Sequence, residues 1–269
     1  MSAYILGISG SPRHGNTEQL VGEALKAAGE ISDVETRLIS LADYSLRPCD
    51  GCNLCMGYLK GATRDEICYK HKDADPIIKE MLKADGIIIG SPVYTWNVSG
   101  RLKCLMEKCA SLCPFPLTEI SYGLRNKVLG AVAVAGGIWE GQETVVQTIW
   151  RWGLSLGMLV VGAVTTEHLP TSSIAAAMAS CSFSPSPFLL DGTSQEKNPV
   201  LGRPQMTACR NLGRNVAYVS RVVRQGIEGL EKAGVKMPPV VTYKRFPEKP
   251  APGSYLEKLV NEGKMKFVE

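Results

Sequence analysis

Short, almost continuously apolar runs alternate along this chain with longer stretches whose apolar positions recur every three or four residues. Tyr4–Ile8, Glu35–Ile39, Gly86–Gly90, Val128–Ala135 and Met158–Ala163 have the length of strands. Thr17–Ala28, Asp75–Ala84, Gly100–Leu112 and Gly141–Leu156 carry the helical period. Asp75-Pro76 opens the second of these with proline at the first helical position, where its missing N–H is not needed. Strands that are apolar throughout belong to a sheet covered by helices on both faces. The β–α alternation therefore predicts an α/β domain with a parallel, doubly wound sheet and right-handed crossovers. From Gln205 to Ala233, Leu212, Val216, Val219, Val223, Ile227 and Leu230 recur at steps of three or four, which predicts a long C-terminal helix lying on the sheet.

Ser172–Pro204 breaks this order, with small residues at Ala175–Ala179 and the turn-forming run Ser184-Pro185-Ser186-Pro187. An irregular insertion of that length inside a domain is expected to be a lid, a partner surface or a disordered segment. Past Gly234 the prolines at 238, 239, 247, 250 and 252 exclude a regular element, apart from a short helix at Tyr255–Glu262. The expected organisation is one domain over residues 1–234, carrying a Cys-rich loop at 49–68 and the insertion at 172–204, followed by a tail at 235–269.

Parallel sheets of this kind bind ligands beyond the C-terminal ends of their strands. The first strand runs into Ser9-Gly10-Ser11-Pro12-Arg13-His14-Gly15-Asn16-Thr17 and then directly into a helix. Such a loop aims backbone N–H groups, hydroxyls and a guanidinium at one small volume, at the positive end of a helix dipole, which suits a phosphate. Neither the lysine-bearing triphosphate loop nor G-x-G-x-x-G is present, so a single terminal phosphate is expected. An ordinary turn would use the same Ser, Gly and Asn as turn and capping residues, but it has no need of Arg13. Two further strand ends, Ser91–Gly100 and Gly136–Gln142, should reach the same sheet edge and bring Tyr94, Trp96 and Trp139 beside Asn97, Gln142 and free amides. That company fits a flat heteroaromatic ring with polar edges, although aromatic residues also serve as core or interface.

Composition narrows the class. The chain has 269 residues, 45% hydrophobic and 21% charged, as expected of a globular enzyme with a full core. Its formal net charge of +4 is concentrated in the tail, where seven Lys or Arg meet four Glu, and is too weak to argue for nucleic acid. No apolar run reaches the roughly 18 residues of a membrane span, and no export signal is read at the N-terminus. Nine cysteines without an export signal are expected to be reduced thiols, metal ligands or redox groups in a cytoplasmic protein.

The motifs Ser9-Gly-Ser-Pro-Arg-x-Gly-Asn-Thr17, Gly90-Ser-Pro-Val-Tyr94 and Gly137…Gly141-Gln142-Glu143 resemble the three flavin loops of the NAD(P)H-dependent FMN reductase family of flavodoxin-like proteins. Cys49-Asp-Gly-Cys52-Asn-Leu-Cys55 looks like its iron–sulfur flavoprotein branch, and the likeness covers roughly residues 3–165. The resemblance implies a flavodoxin-like five-stranded sheet of order 2-1-3-4-5, tightly bound FMN, and a homodimer or homotetramer. By position, Ser9, Ser11, Arg13, Asn16 and Thr17 would hold the phosphate. Pro92, Val93, Tyr94, Trp96 and Asn97 would border the ring, with Gly136, Gly137 and Gln142 on its other side. The insertion would then cover the flavin. Two departures stand out: bulky Ile138-Trp139-Glu140 in the third loop, and Glu107-Lys108-Cys109 where relatives often carry an Asp-Arg pair used in a dimer contact.

Cys49, Cys52, Cys55 and Cys68 follow the spacing C-x2-C-x2-C-x12-C. Three thiols two residues apart wrap readily around a cubane, and a fourth can return from a loop, so a [4Fe–4S] cluster is one reading; zinc or a reduced loop without metal are the others. Cys104, Cys109 and Cys113 lie on one predicted helix and read as small buried hydrophobes. The sequence thus points to an FMN-dependent oxidoreductase passing reducing equivalents from NAD(P)H to a small-molecule acceptor. Its rivals are an electron carrier that pairs FMN and a cluster with a ferredoxin-like partner, and a flavin-binding protein without turnover. No acid–base pair stands out, and no catalytic side chain is assigned.

Overall fold

The computed structural model describes residues 2–52, 67–68, 70–112, 123–136, 141–163, 177–180, 203–235, 257–258 and 261–263. Its sheet is parallel. Strands β1 (Ala3–Ser9), β2 (Val34–Ser40), β3 (Gly86–Pro92), β4 (Val128–Ala135) and β5 (Leu159–Val160) lie in the order β2-β1-β3-β4-β5. That is the doubly wound, flavodoxin-like order expected from the alternation and the resemblance. Helices α1 (Asn16–Gly29) and α5 (Arg203–Lys232) cover one face; α2 (Asp75–Lys83), α3 (Gly100–Lys108) and α4 (Gln142–Ser155) cover the other.

The alternation within each strand decides which core a residue joins. Leu6, Ile8, Ile87, Ile89, Leu129 and Ala131 pack with Ile77, Met81, Leu102, Leu105 and Ile149. Ile5, Ile88, Val128 and Val132 face the other way, against Leu20, Val21, Ala24, Leu212 and Val216. On that second face α1 and α5 approach so closely that a Cβ built on Gly213 would lie 1.9 Å from the Ala24 carbonyl oxygen. At the sheet's opposite end, Lys127 donates to the Leu82 and Ala84 carbonyls at 2.8 and 2.6 Å, satisfying the end of α2, and burial brings its ammonium down to about 8.

Two expectations need correction. The first concerns β2, which is not covered on both faces: Glu35, Thr36, Arg37 and Leu38 are exposed at the sheet edge, where charge discourages pairing with another chain. The second concerns the fifth strand. The apolar run Met158–Ala163 pairs with β4 only at Val128↔Leu159 and Leu129↔Val160. The Gly162 carbonyl is taken instead by Asn215 Nδ2 of α5, at 2.8 Å. Farther along the same edge of β4, a strand β6 (Ala177–Ser180) pairs Val132↔Ala177 through Ala135↔Ser180. The segment read as an irregular insertion therefore contributes a strand. Residues 164–176 and 181–202 lie outside the described residues, as does most of the tail.

Candidate functional site

Because β1, β3 and β4 are parallel, the loops that follow them open on one edge of the sheet, and specific contacts fasten them together. Gly10 N–H donates to the Gly90 carbonyl at 2.7 Å, and a Cβ on Gly10 would sit 2.7 Å from that same oxygen. Ser99 caps α3 by accepting from Leu102 N–H at 3.1 Å, while its hydroxyl donates to the Gly10 carbonyl. Ser91 accepts from Ser99 N–H at 3.0 Å. Val93 N–H reaches Val134 O at 2.7 Å, and Gly141, at φ 98°, is packed so tightly that a Cβ there would lie 2.9 Å from Trp96 Cα. Among the described residues, the loops are brought together by the close approach that Gly10 and Gly141 permit and by the hydroxyls of Ser91 and Ser99.

In the first loop, Ser9 is 0% exposed and its Oγ has no hydrogen-bond partner among the described residues. A buried hydroxyl left unpaired is costly in a finished core, which points to a ligand oxygen at that place. Ser11 and Thr17 are buried beside it, and Ser11 Oγ accepts from Arg13 N–H at 3.2 Å. The position before α1 is Gly15, in extended backbone, which offers no side-chain cap, and a helix start of this kind favours an anion. Asn16 begins the helix, and Arg13 is exposed on the loop with no ion pair among the described residues.

His14, in the same loop, is engaged elsewhere. Its Nδ1 lies 2.8 Å from Glu18 and its Nε2 3.3 Å from Asp43; Glu18 also accepts from Ser40 Oγ at 2.6 Å. These carboxylates, Glu18 first, raise the imidazole above its ordinary range. The arrangement also occupies Glu18, a negative charge in the first helical turn that would otherwise oppose a bound phosphate. Sequence reasoning missed this group because Glu18, Ser40 and Asp43 come from separate elements.

The second loop makes a tight turn. Tyr94 and Asn97 exchange backbone hydrogen bonds of 2.9 and 3.1 Å, and the two residues between them, Thr95 and Trp96, have φ of 49° and 58°. Neither is glycine or asparagine, and a β-branched residue in the left-handed region is strained. The turn leaves Trp96 68% exposed and Tyr94 40% exposed. Pro92 and Val93 are half-buried below them. Asn97 is a tie rather than a free polar group: its Oδ1 accepts from Val98 N–H at 2.8 Å and lies 3.3 Å from Thr148 Oγ1 of α4. Gln142 is buried at the start of α4 and Gly136 is exposed at the end of β4; Gly137 and Trp139 lie outside the described residues.

Of the four-cysteine run, Cys49, Cys52 and Cys68 are described and Cys55 is not. Gly51, at φ 64°, turns its N–H onto Cys49 Sγ at 3.4 Å, and His71 N–H lies 3.4 Å from Cys68 Sγ. Asp50 joins the two segments by ion pairs to Lys70 at 2.5 Å and His71 at 3.0 Å, and these partners, Lys70 first, hold its carboxyl below the usual range. Among the described residues no three His, Cys, Asp or Glu are grouped to hold a metal ion. Cys109 and Cys209 are fully buried, which pushes both thiols up and fits small hydrophobes; Cys104 is half-buried. Cys113 lies outside the described residues.

Residues 3–168 match the family model described as NADPH-dependent FMN reductase. An iron–sulfur flavoprotein of Methanocaldococcus jannaschii is 41% identical over 223 residues, which cover 82% of this chain and 99% of the relative. An iron–sulfur flavoprotein of Methanosarcina thermophila is 38% identical over 160 residues, 59% of this chain and 76% of the relative. Among solved structures, RosB with a bound 8-demethyl-8-formylriboflavin-5'-phosphate intermediate superposes with a TM-score of 0.58 at 16% identity, covering 93% of this chain and 94% of that one. At that identity the likeness is one of fold.

Proposed function

The chain belongs to the NADPH-dependent FMN reductase family, and from that premise we propose that it is an FMN-dependent oxidoreductase taking reducing equivalents from NAD(P)H to a small acceptor. The observation that carries this reading is the buried, unpartnered Ser9 Oγ beneath the uncapped start of α1. A phosphate fits there: Ser9, Ser11, Asn16 and Thr17 supply hydroxyl and amide groups, and Arg13 supplies a charge-assisted contact. Pro92, Val93, Tyr94 and Trp96, with Gly136, Gly137 and Gln142, would border the ring, while Asn97 braces the loop that presents it. When bound, FMN supplies the redox chemistry; the chain's residues bind it, orient it and shape access to it. Trp96 and Trp139 would restrict that access and favour small acceptors. The active form is read as a homodimer or homotetramer, and among the described residues no helix is long and apolar enough to cross a membrane.

A second reading, an iron–sulfur flavoprotein exchanging single electrons with a ferredoxin-like partner, is favoured by the names of the two archaeal relatives and by the cysteine run. The thiols fit a cluster in their chemistry, since Cys49 and Cys68 each receive a backbone N–H of the kind that stabilises thiolate charge. Cys49, Cys52, Cys55 and Cys68 would be its ligands. Anaerobically purified protein decides between the readings. Flavin absorbance, iron and sulfide near four per chain, and loss of both in Cys52→Ala are expected if the cluster is present. Steady-state NAD(P)H oxidation in the same preparation marks the reductase. Flavin without iron, together with freely alkylated Cys49 and Cys52, would retire the electron-carrier reading; absence of turnover with either nucleotide would retire the reductase.

A further inference from the structure

Helix α3 grips the cysteine segment at two adjacent residues, one for each half. Glu107 Oε2 accepts the Cys49 N–H at 3.2 Å. Lys108, whose side chain is 1% exposed, places Nζ on the Asp73 carboxylate and 3.4 Å from the His71 carbonyl. Through its backbone, His71 then links that ammonium to a thiol, because its N–H donates to Cys68 Sγ. Asp73 extends the grip by accepting Arg47 N–H at 2.7 Å. Earlier on the same helix, Arg101 donates to the Leu41 carbonyl at 3.2 Å and to that of Tyr44. The chain entering the cysteine run and the chain leaving it are thus both fastened to α3.

We propose that Glu107 and Lys108 are positioning residues that set the Cys49–Cys52 segment and Cys68 at a fixed separation and so present them to one iron–sulfur cluster. This rests on the reading of the four cysteines as cluster ligands. A buried ammonium must be paired and hydrogen-bonded to be kept at all, and here its partners are the residues that follow Cys68 rather than an unrelated part of the core. Both members of the pair are turned toward the cysteine segment.

The test uses the full chain, reconstituted anaerobically with ferrous iron and sulfide in the presence of FMN, then challenged with a chelator. Glu107→Gln keeps an acceptor for the Cys49 N–H and is expected to retain iron like the unmutated chain. Glu107→Ala and Lys108→Met are expected to lose iron at least fivefold faster while holding FMN at the unmutated stoichiometry, which shows that the fold survives. What cluster remains in Lys108→Met is expected at a more negative midpoint potential, since a buried positive charge has gone. Equal iron retention and equal potential in both variants would overturn the proposal. Restored iron in Lys108→Met/Asp73→Asn would do so too, because the loss would then come from an unpaired Asp73 and not from the lost grip. If Lys108→Met fails to bind FMN, Glu107→Ala against Glu107→Gln decides. If the unmutated chain takes up no iron, the cluster reading fails by itself. The grip is then read in metal-free protein from the fraction of diamide-induced disulfide joining the Cys49–Cys52 peptide to the Cys68 peptide. That fraction is expected to fall in Glu107→Ala, and equal fractions would overturn the grip.

Discussion

An Arg13→Ala chain is expected to bind FMN roughly ten- to a hundredfold more weakly, the loss of one charge-assisted phosphate contact of about 1.5–3 kcal/mol. Its apo form should melt where the unmutated apo form does, because Arg13 is exposed and its side chain makes no ion pair among the described residues. Ser9→Ala makes the complementary case. The hydroxyl it removes is buried and unpartnered, so the apo protein should lose no stability, yet FMN should bind several-fold more weakly. Fluorescence titration of the apo variants, read beside their melting temperatures, separates ligand contacts from scaffold. Unchanged FMN affinity in Arg13→Ala would mean that the phosphate lies elsewhere.

The largest effect on stability is expected on the far face of the sheet, at Gly213. A side chain there meets the Ala24 carbonyl, which belongs to the α1 backbone and cannot swing aside. Gly213→Val should therefore cost about 3 kcal/mol, the upper end of ordinary overpacking, and lower the melting temperature by about 6–12 °C. Gly226, on the same helix with open space around it, should behave oppositely: Gly226→Ala is expected to stabilise by about 1 kcal/mol through helix propensity alone. Thermal melts of the two variants give the comparison. Similar shifts in both would show that α1 and α5 are not held at this distance.

What the sequence disclosed and what it withheld follow from the range of the interactions. Ile5–Ile8, Ile87–Ile89 and Val128–Ala135 are apolar at every position because each strand feeds two cores, and that signal is local. Asp75-Pro76 and the capping Ser99 are likewise local, and α2 and α3 begin where those residues stand. Arg13 stands out in the loop from Ser9 to Thr17 because no turn or cap needs a guanidinium. Ala177–Ser180 was not legible, since Ala-Met-Ala-Ser has little strand signal of its own and is held by pairing with β4 more than forty positions earlier. Thr95 and Trp96 gave no warning of a left-handed turn, which is usually marked by glycine or asparagine. Nothing local in the sequence ties Glu107 and Lys108 to the cysteines; their partners, Cys49, His71 and Asp73, reach them only through the fold.

Comparing FMN with riboflavin tests most directly whether the β1–α1 loop holds the phosphate of FMN. Both carry the same ring and differ only in the 5'-phosphate, so the ratio of their dissociation constants on the apo chain isolates the loop's contribution. With several amides, hydroxyls and one guanidinium facing a dianion, FMN is expected to bind at least about a hundredfold more tightly than riboflavin. In Arg13→Ala that ratio should shrink while riboflavin binding stays unchanged. Equal affinities for FMN and riboflavin in the unmutated chain would contradict the account.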